Sequence, residues 1–329
     1  MRLMRIPGIG ALGLPPVIGA ITVNNLSILT IIPLFMIGIF FSIFGFILND
    51  YIDLDLDRYS KSLSRRPLVK GTITKRKSII IMLICFFLGW FTVFIFFYKN
   101  ENLFFLSLLI LLISNILIII YDLYGKKLLG SDFIFALAET LFFLFGALVA
   151  STNGLLSIFT WVGVIIVYNQ MFYENAITGG LKDADHDYIK NVKNMASEFG
   201  VEVKSGKKLY IPLKFKILGV GIHLFTIPFI FIPFIFYGIS YKIWHIMLLS
   251  FIILLALFLI VRMLSMKRFN RRKLRRLIVK NLFVRYTIIP VMLISIIGFY
   301  YMIIMIIFPL VWYLFFSLIM KEKIFEPEM

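Results

Sequence analysis

Apolar residues come in long runs along this chain, with short polar clusters between them. The runs are about 20 residues long, the length that crosses the hydrocarbon of a bilayer as an α-helix. The pattern predicts nine membrane spans, at about 8–24, 29–48, 78–98, 103–121, 132–151, 155–175, 215–237, 243–264 and 286–306. The expected fold class is therefore all-α: a polytopic membrane protein of about nine transmembrane helices, read as a single domain over residues 1–329. The first run follows Arg2 and Arg5 as in a signal peptide, but Pro15-Pro16 interrupts it and further spans follow at once. It reads as an uncleaved first helix. At the other end, residues 286–320 are apolar for longer than one ordinary span. Either the ninth helix kinks near Pro309, or a tenth short helix follows.

Composition agrees with the pattern. The chain is 61% hydrophobic with 36 Phe, whereas a soluble domain is closer to half apolar. Its net charge of +17 could point to nucleic acid. The excess, however, is confined to alternate loops. The N-terminus and loops 49–77, 122–131, 176–214 and 265–285 hold every Lys and Arg except Lys99, Lys216, Lys242, Arg262, Lys321 and Lys323. Cationic loops stay in the cytoplasm, and anionic headgroups account for the remaining attraction. The expected partner is the lipid bilayer, with no nucleic acid. The expected location is the cell membrane, crossed many times. The single cysteine, Cys85, falls inside a span and reads as a small core residue.

Against this background, two acidic segments stand out. Asn49-Asp50-Tyr51-Ile52-Asp53-Leu54-Asp55-Leu56-Asp57 follows directly on the apolar run from Ile28 to Leu48. Asn49, Asp53 and Asp57 are four apart and share one helix face. Stacked like charges repel unless a cation lies between them, and oxygen side chains of this kind suit Mg²⁺, which completes its shell with water and phosphate. The alternative for this stretch alone is a solvated helix end. Lys182-Asp183-Ala184-Asp185-His186-Asp187 repeats the spacing, with Asp183 and Asp187 four apart behind another apolar run. Two acidic faces flanked by Lys and Arg suggest two metal ions on one diphosphate. On the charge pattern, both face the cytoplasm.

In this order, Asn49-xxx-Asp53-xxx-Asp57, Arg66-Pro67-Leu68-xx-Gly71 and Asp183-xxx-Asp187 resemble the UbiA superfamily of intramembrane prenyltransferases. Leu3-Met4-Arg5, the segment Tyr121-Asp122-Leu123-Tyr124-Gly125-Lys126-Lys127, and Lys193 with Gly200 beyond it also match. The resemblance covers most of residues 1–200 and implies a UbiA-like bundle. It implies an enzyme in which Mg²⁺ bridges aspartates to the diphosphate of a polyprenyl donor. Asn49, Asp53, Asp57, Asp183 and Asp187 would then hold the metal, the four aspartates being catalytic. Arg66, Lys126 and Lys193 would contact the diphosphate, and Tyr121 would line the pocket. Asp50, Asp55 and Asp185 would be outer supports or loop anchors. Loop 188–214 is longer than the resemblance leads one to expect, and reads as a cover for the site or as an insertion.

The resemblance says less about the lipophilic acceptor. Tyr121…Lys126-Lys127…Gly130 is nearest to the archaeal branch of digeranylgeranylglyceryl phosphate synthases, which implies geranylgeranylglyceryl phosphate as acceptor in ether-lipid synthesis. Two features depart from that branch: no Asn-x-Pro precedes Arg66, and Ser131 stands where Asn commonly follows the glycine. An aromatic quinone precursor is the alternative acceptor, with carotenoid or porphyrin-type acceptors behind it. The Asp-Gly-xx-Ala-Arg pattern of CDP-alcohol phosphotransferases is absent. A membrane cation transporter, the reading from another class, would want its acids near the bilayer midplane rather than at span ends.

Overall fold

A computed structural model of the chain describes residues 2–58, 64, 66–98, 101–152, 154–190, 193–237, 239 and 241–321; at residues 56, 101, 102, 186–190 and 205 it describes the backbone alone. The elements in order are α1 (Ile6–Leu12), α2 (Pro15–Thr22), α3 (Ile28–Ile52), α4 (Leu54–Asp57), α5 (Lys75–Phe97), α6 (Glu101–Tyr124), α7 (Ser131–Ala150) and α8 (Ile158–Phe172). A π-helical turn (Tyr173–Gly179) leads into α9 (Gly180–Lys190), followed by α10 (Met195–Glu198), β1 (Glu202–Lys204) and β2 (Lys208–Tyr210). The chain continues with α11 (Leu213–Phe236), α12 (Ile243–Leu264), α13 (Arg271–Tyr286), α14 (Ile288–Met292) and α15 (Ile294–Ile319).

Among the described residues, seven helices have the length and apolar composition to cross a membrane: α3, α5, α6, α7, α11, α12 and α15. Six of them carry expected spans. The expected nine is reached only by adding two shorter apolar segments. One is the pair α1–α2, which Pro15 and Pro16 divide by occupying the first turn of α2, where a missing N–H costs nothing. The other is α8, fifteen residues long. The last span is corrected. Residues 286–292 belong to α13 and α14, and the long apolar helix is α15, with Pro309 inside it and its break at Gly298. Residues 286–320 are apolar throughout, so hydropathy offers no edge from which to place that break.

The chain forms two compact units. The first comprises Met1–Leu123, Thr140–Thr160 and Phe308–Met329. Here α3 packs along α5, and α1 and α2 pack on α3. A Cβ on Gly146 of α7 would run into the Pro16 carbonyl of α2, so a glycine is needed there, as is common where membrane helices approach closely. Phe87, Phe91 and Phe94 form an exposed apolar face on α5, while Cys85, Gly89 and Val93 are buried. Such a face is suited to lipid rather than water. Trp312 of α15 donates from Nε1 to the Ile6 carbonyl at 2.9 Å. Leu3, Ile9, Ile43, Ile47, Leu54 and Leu68 form the core beneath the first acidic segment.

The second unit comprises Tyr124–Glu139 and Trp161–Ile307. Its core gathers Tyr173, Ile177, Phe215, Leu264, Phe269 and Leu274. In loop 188–214, Asn194 and Ser197 cap α10 reciprocally, and β1 pairs antiparallel with β2. The hairpin is stitched to the residues before α13: Leu209 N–H donates to Lys267 O at 3.0 Å, and Phe269 N–H to Lys207 O at 2.8 Å. Val201, Leu209 and Ile211 are buried in the same core. The described part of this loop is thus a docked substructure.

Candidate active site

The first acidic segment is built by the end of α3. Asp53 caps that helix, its N–H bonded to Asn49 O at 2.9 Å, and Asp57 N–H bonds Asp53 O at 2.8 Å. The helical hydrogen-bond course therefore carries on through α4, and Asn49, Asp53 and Asp57 keep one stripe. They are not a solvated helix end: Asp50, Asp53 and Asp57 are only 4%, 6% and 4% exposed.

Buried carboxylates need partners, and two arginines provide them. Arg5 donates to Asp50 Oδ1 at 2.5 Å. It sits at the N-cap of α1 with a left-handed backbone, φ 48°, and its guanidinium lies over the Phe46 ring at 4.9 Å. Arg66 bridges Asp50 Oδ1, at 3.1 Å, and Asp57 Oδ2. Burial alone would lower the Arg66 pKa, but Asp50, Asp57 and Asp53 outweigh it and raise the value above that of an ordinary arginine. The spacing Arg66-Pro67-Leu68-xx-Gly71 now has a cause. Lys70 N–H bonds Arg66 O at 2.8 Å and Thr72 N–H bonds Pro67 O at 3.0 Å. Leu68 is buried, and Gly71 takes φ +74°, a conformation that favours glycine. The tight turn holds Arg66 against the acids.

Sequence reasoning missed one member. Asp122, near the end of α6, is 9% exposed and accepts from Asn49 Nδ2 at 3.1 Å. The available signal was an acid at the end of a span. Tyr121 beside it is half-buried. Asp50 is held by both arginines, whereas Asp55 is 79% exposed and, among the described residues, pairs with Arg58 at 3.3 Å.

In the second unit, Asp183 lies in the first turn of α9, 44% exposed, with Lys182 Nζ 3.7 Å from Oδ2. Asp185 takes a charge-assisted bond from Arg271 at 2.5 Å. The side chains of Asp187 and His186 lie outside the described residues. Lys193 N–H donates to the Lys126 carbonyl at 3.3 Å. Two lysines expected at the diphosphate are thus brought together through their backbone.

Behind Asp183 lies a buried polar network that the span pattern hid. Arg285, 4% exposed, donates from Nε to Gln170 Oε1 at 2.7 Å and stacks over Tyr173 at 3.9 Å. Gln170 in turn donates to Glu174 at 3.3 Å, and Thr178 Oγ1 donates to Glu174 Oε2 at 2.9 Å. Together they fasten the π-helical turn that leads into α9. Single π-turns inside helices are frequent at functional sites. The polar residues Gln170 and Glu174, within or beside the expected span 155–175, were the available signal.

Among the described residues no three His, Cys, Asp or Glu side chains converge as a ready metal cage. A Mg²⁺ ion held by one or two carboxylates and completed by phosphate and water needs none. The donors of the first segment are hard oxygens, two of them on buried aspartates of one stripe, which suits such an ion.

The chain matches the model of the UbiA prenyltransferase family over residues 12–285. Solved structures share the fold. One concerns digeranylgeranylglyceryl phosphate synthase in membranes, at 17% identity and TM-score 0.64, covering 91% of this chain and 97% of the other. Another is a UbiA homologue from Archaeoglobus fulgidus bound to DMAPP and Mg²⁺, at 19% identity and TM-score 0.60, covering 88% and 98%. A third is the apo form of a UbiA homologue from Aeropyrum pernix K1, at 15% identity and TM-score 0.61, covering 90% and 96%. No curated protein sequence matches the chain.

Proposed function

Because this chain belongs to the UbiA prenyltransferase family, we propose that it transfers a polyprenyl group from a polyprenyl diphosphate to geranylgeranylglyceryl phosphate, with Mg²⁺ as cofactor. The observation that carries the diphosphate reading is the buried stripe of Asn49, Asp53 and Asp57, with Arg5 and Arg66 fixed beside it. Family membership sets aside the transporter reading.

Mg²⁺, when bound, neutralises the negative charge that develops on a departing diphosphate. The chain's own residues do the rest. Asp53 and Asp57, with the amide oxygen of Asn49, present oxygens on one face, and Asp183 adds another from the first turn of α9, where Asp187 follows it by four residues in the sequence. Arg66 is held by Asp50 and already charged, so it answers the departing charge without reorganising. Lys126 and Lys193 bring further positive charge. Burial of the first segment keeps water from its carboxylates and strengthens these interactions. The active site is proposed to face the cytoplasm, on the side of the cationic loops.

The acceptor assignment rests on Tyr121…Lys126-Lys127…Gly130. A phosphorylated acceptor brings its own negative charge, which the cationic loops that carry the acidic segments favour. The test is to incubate the purified protein with labelled polyprenyl diphosphates and a panel of acceptors, in Mg²⁺ and in EDTA. Transfer to geranylgeranylglyceryl phosphate in Mg²⁺ alone is expected. Transfer only to an aromatic quinone precursor would move the enzyme to another branch. Full activity in EDTA would overturn the metal reading.

A further inference from the structure

We propose that Asp122 is a positioning residue for the first acidic segment, fixing the amide of Asn49 so that its oxygen, and not its nitrogen, faces the cation. The inference rests on the reading that Asn49, Asp53 and Asp57 hold a divalent ion.

The bond between the two side chains is directional. Asn49 Nδ2 lies 3.1 Å from Asp122 Oδ1. Asn49 is the donor and Asp122 the acceptor, so the face of the amide turned to Asp122 is its NH₂. The oxygen then points the other way. That orientation matters because Mg²⁺ takes oxygen ligands, and an amide turned about would offer it a nitrogen carrying two hydrogens. Asn49 sits on α3 and Asp122 on α6, so the hold comes from a separate helix and does not depend on the local turn.

A second observation points to the same role. The other oxygen, Asp122 Oδ2, is buried with no hydrogen-bond partner among the described residues. Asp122 is also within electrostatic reach of Asp53 and Asp50, with Arg5 as a positive neighbour. A buried polar atom left without a partner is costly to keep. A tie between two helices needs no charge; an apolar pair would hold them as well. Outer contacts that orient a metal ligand change metal affinity or activity by roughly ten- to a hundred-fold.

The experiment compares the full-length wild type, Asp122→Asn, and the exchanged pair Asn49→Asp with Asp122→Asn. Mn²⁺ binding is read by electron paramagnetic resonance in the presence of a non-reactive prenyl thiodiphosphate, alongside thermal unfolding and the Mg²⁺ dependence of transfer. Asp122→Asn should weaken Mn²⁺ binding and raise the Mg²⁺ half-saturation by about ten- to a hundred-fold, with unfolding little changed. The exchanged pair keeps one donor, one acceptor and the same charge, so it should recover most of the affinity. Unchanged Mn²⁺ affinity in Asp122→Asn would overturn the inference and leave the metal site standing, as would a loss that the exchange fails to recover. If Asp122→Asn does not fold, the exchanged pair decides alone: affinity like that of the wild type supports the role, and a tenfold loss refutes it. A wild type that binds no Mn²⁺ would bring down the metal reading itself, and this inference with it.

Discussion

Arg66 shows what a single side chain is asked to do here. It bridges two buried carboxylates, Asp50 and Asp57, and its planar fork suits two partners better than an ammonium does. Its pKa, lowered by burial but raised further by Asp50, Asp57 and Asp53, lies on balance above the usual arginine value. A raised value stabilises the fold at every pH below the unfolded pKa and is lost only above the folded one, so this contribution should be constant across pH 5–9. Arg66→Ala takes the arginine from Asp57, while Asp50 keeps Arg5. Breaking a buried pair costs about 3–5 kcal/mol, and thermal unfolding should show a loss near the lower end. Arg66→Lys should recover only part of it. Full recovery would mean that charge alone matters and the bridge does not. Lys126→Ala removes a half-exposed cation. A charge-assisted bond contributes about 1.5–3 kcal/mol, roughly ten- to a hundred-fold in rate. The loss should fall on turnover with varied donor. A defect confined to acceptor KM would reassign Lys126 to the acceptor's phosphate.

At the level of the element, the π-helical turn Tyr173–Gly179 is the piece to break. Arg285→Met removes the contacts to Gln170 and Tyr173, which should loosen that turn and with it the start of α9. A lower unfolding temperature together with a higher Mg²⁺ requirement is the expected pair. A stability loss with an unchanged Mg²⁺ requirement would detach the network from Asp183. Nothing in the hydropathy of 155–175 disclosed this turn, because a one-residue shift in helical register changes no residue type. The acids themselves were legible: four-residue spacing at the edge of an apolar run survives in Asn49, Asp53 and Asp57. Their burial and their arginine partners were not, since Arg5 and Arg66 come from other parts of the chain. The hairpin β1–β2 had a signal in Glu202-Val203-Lys204 and Lys208-Leu209-Tyr210 around Gly206, hidden by its shortness and its lysines.

For the whole molecule, the apolar runs translated well into helices wherever polar clusters bounded them, as at α3, α5, α6 and α12. They failed where the boundary was itself apolar, at α14–α15; the run that Pro15-Pro16 interrupts is met by the short pair α1–α2. The distribution of Lys and Arg makes a claim about orientation that thiol labelling can check. In a Cys85→Ala background, Thr72→Cys and Lys207→Cys, both at exposed positions, should react with an impermeant reagent only from the cytoplasmic side. Labelling of either from outside sealed cells would break the topology.

The central claim is that both acidic segments serve the departure of the diphosphate, and the most direct measurement is the rate of prenyl transfer at saturating Mg²⁺ by wild type, Asp53→Asn and Asp183→Asn. Each substitution removes one negative charge with little change in shape. The account predicts that each loses on the order of a hundred-fold in rate or more, about 2.7 kcal/mol of transition-state stabilisation, while still inserting into the membrane. Near-normal turnover in either variant would contradict it.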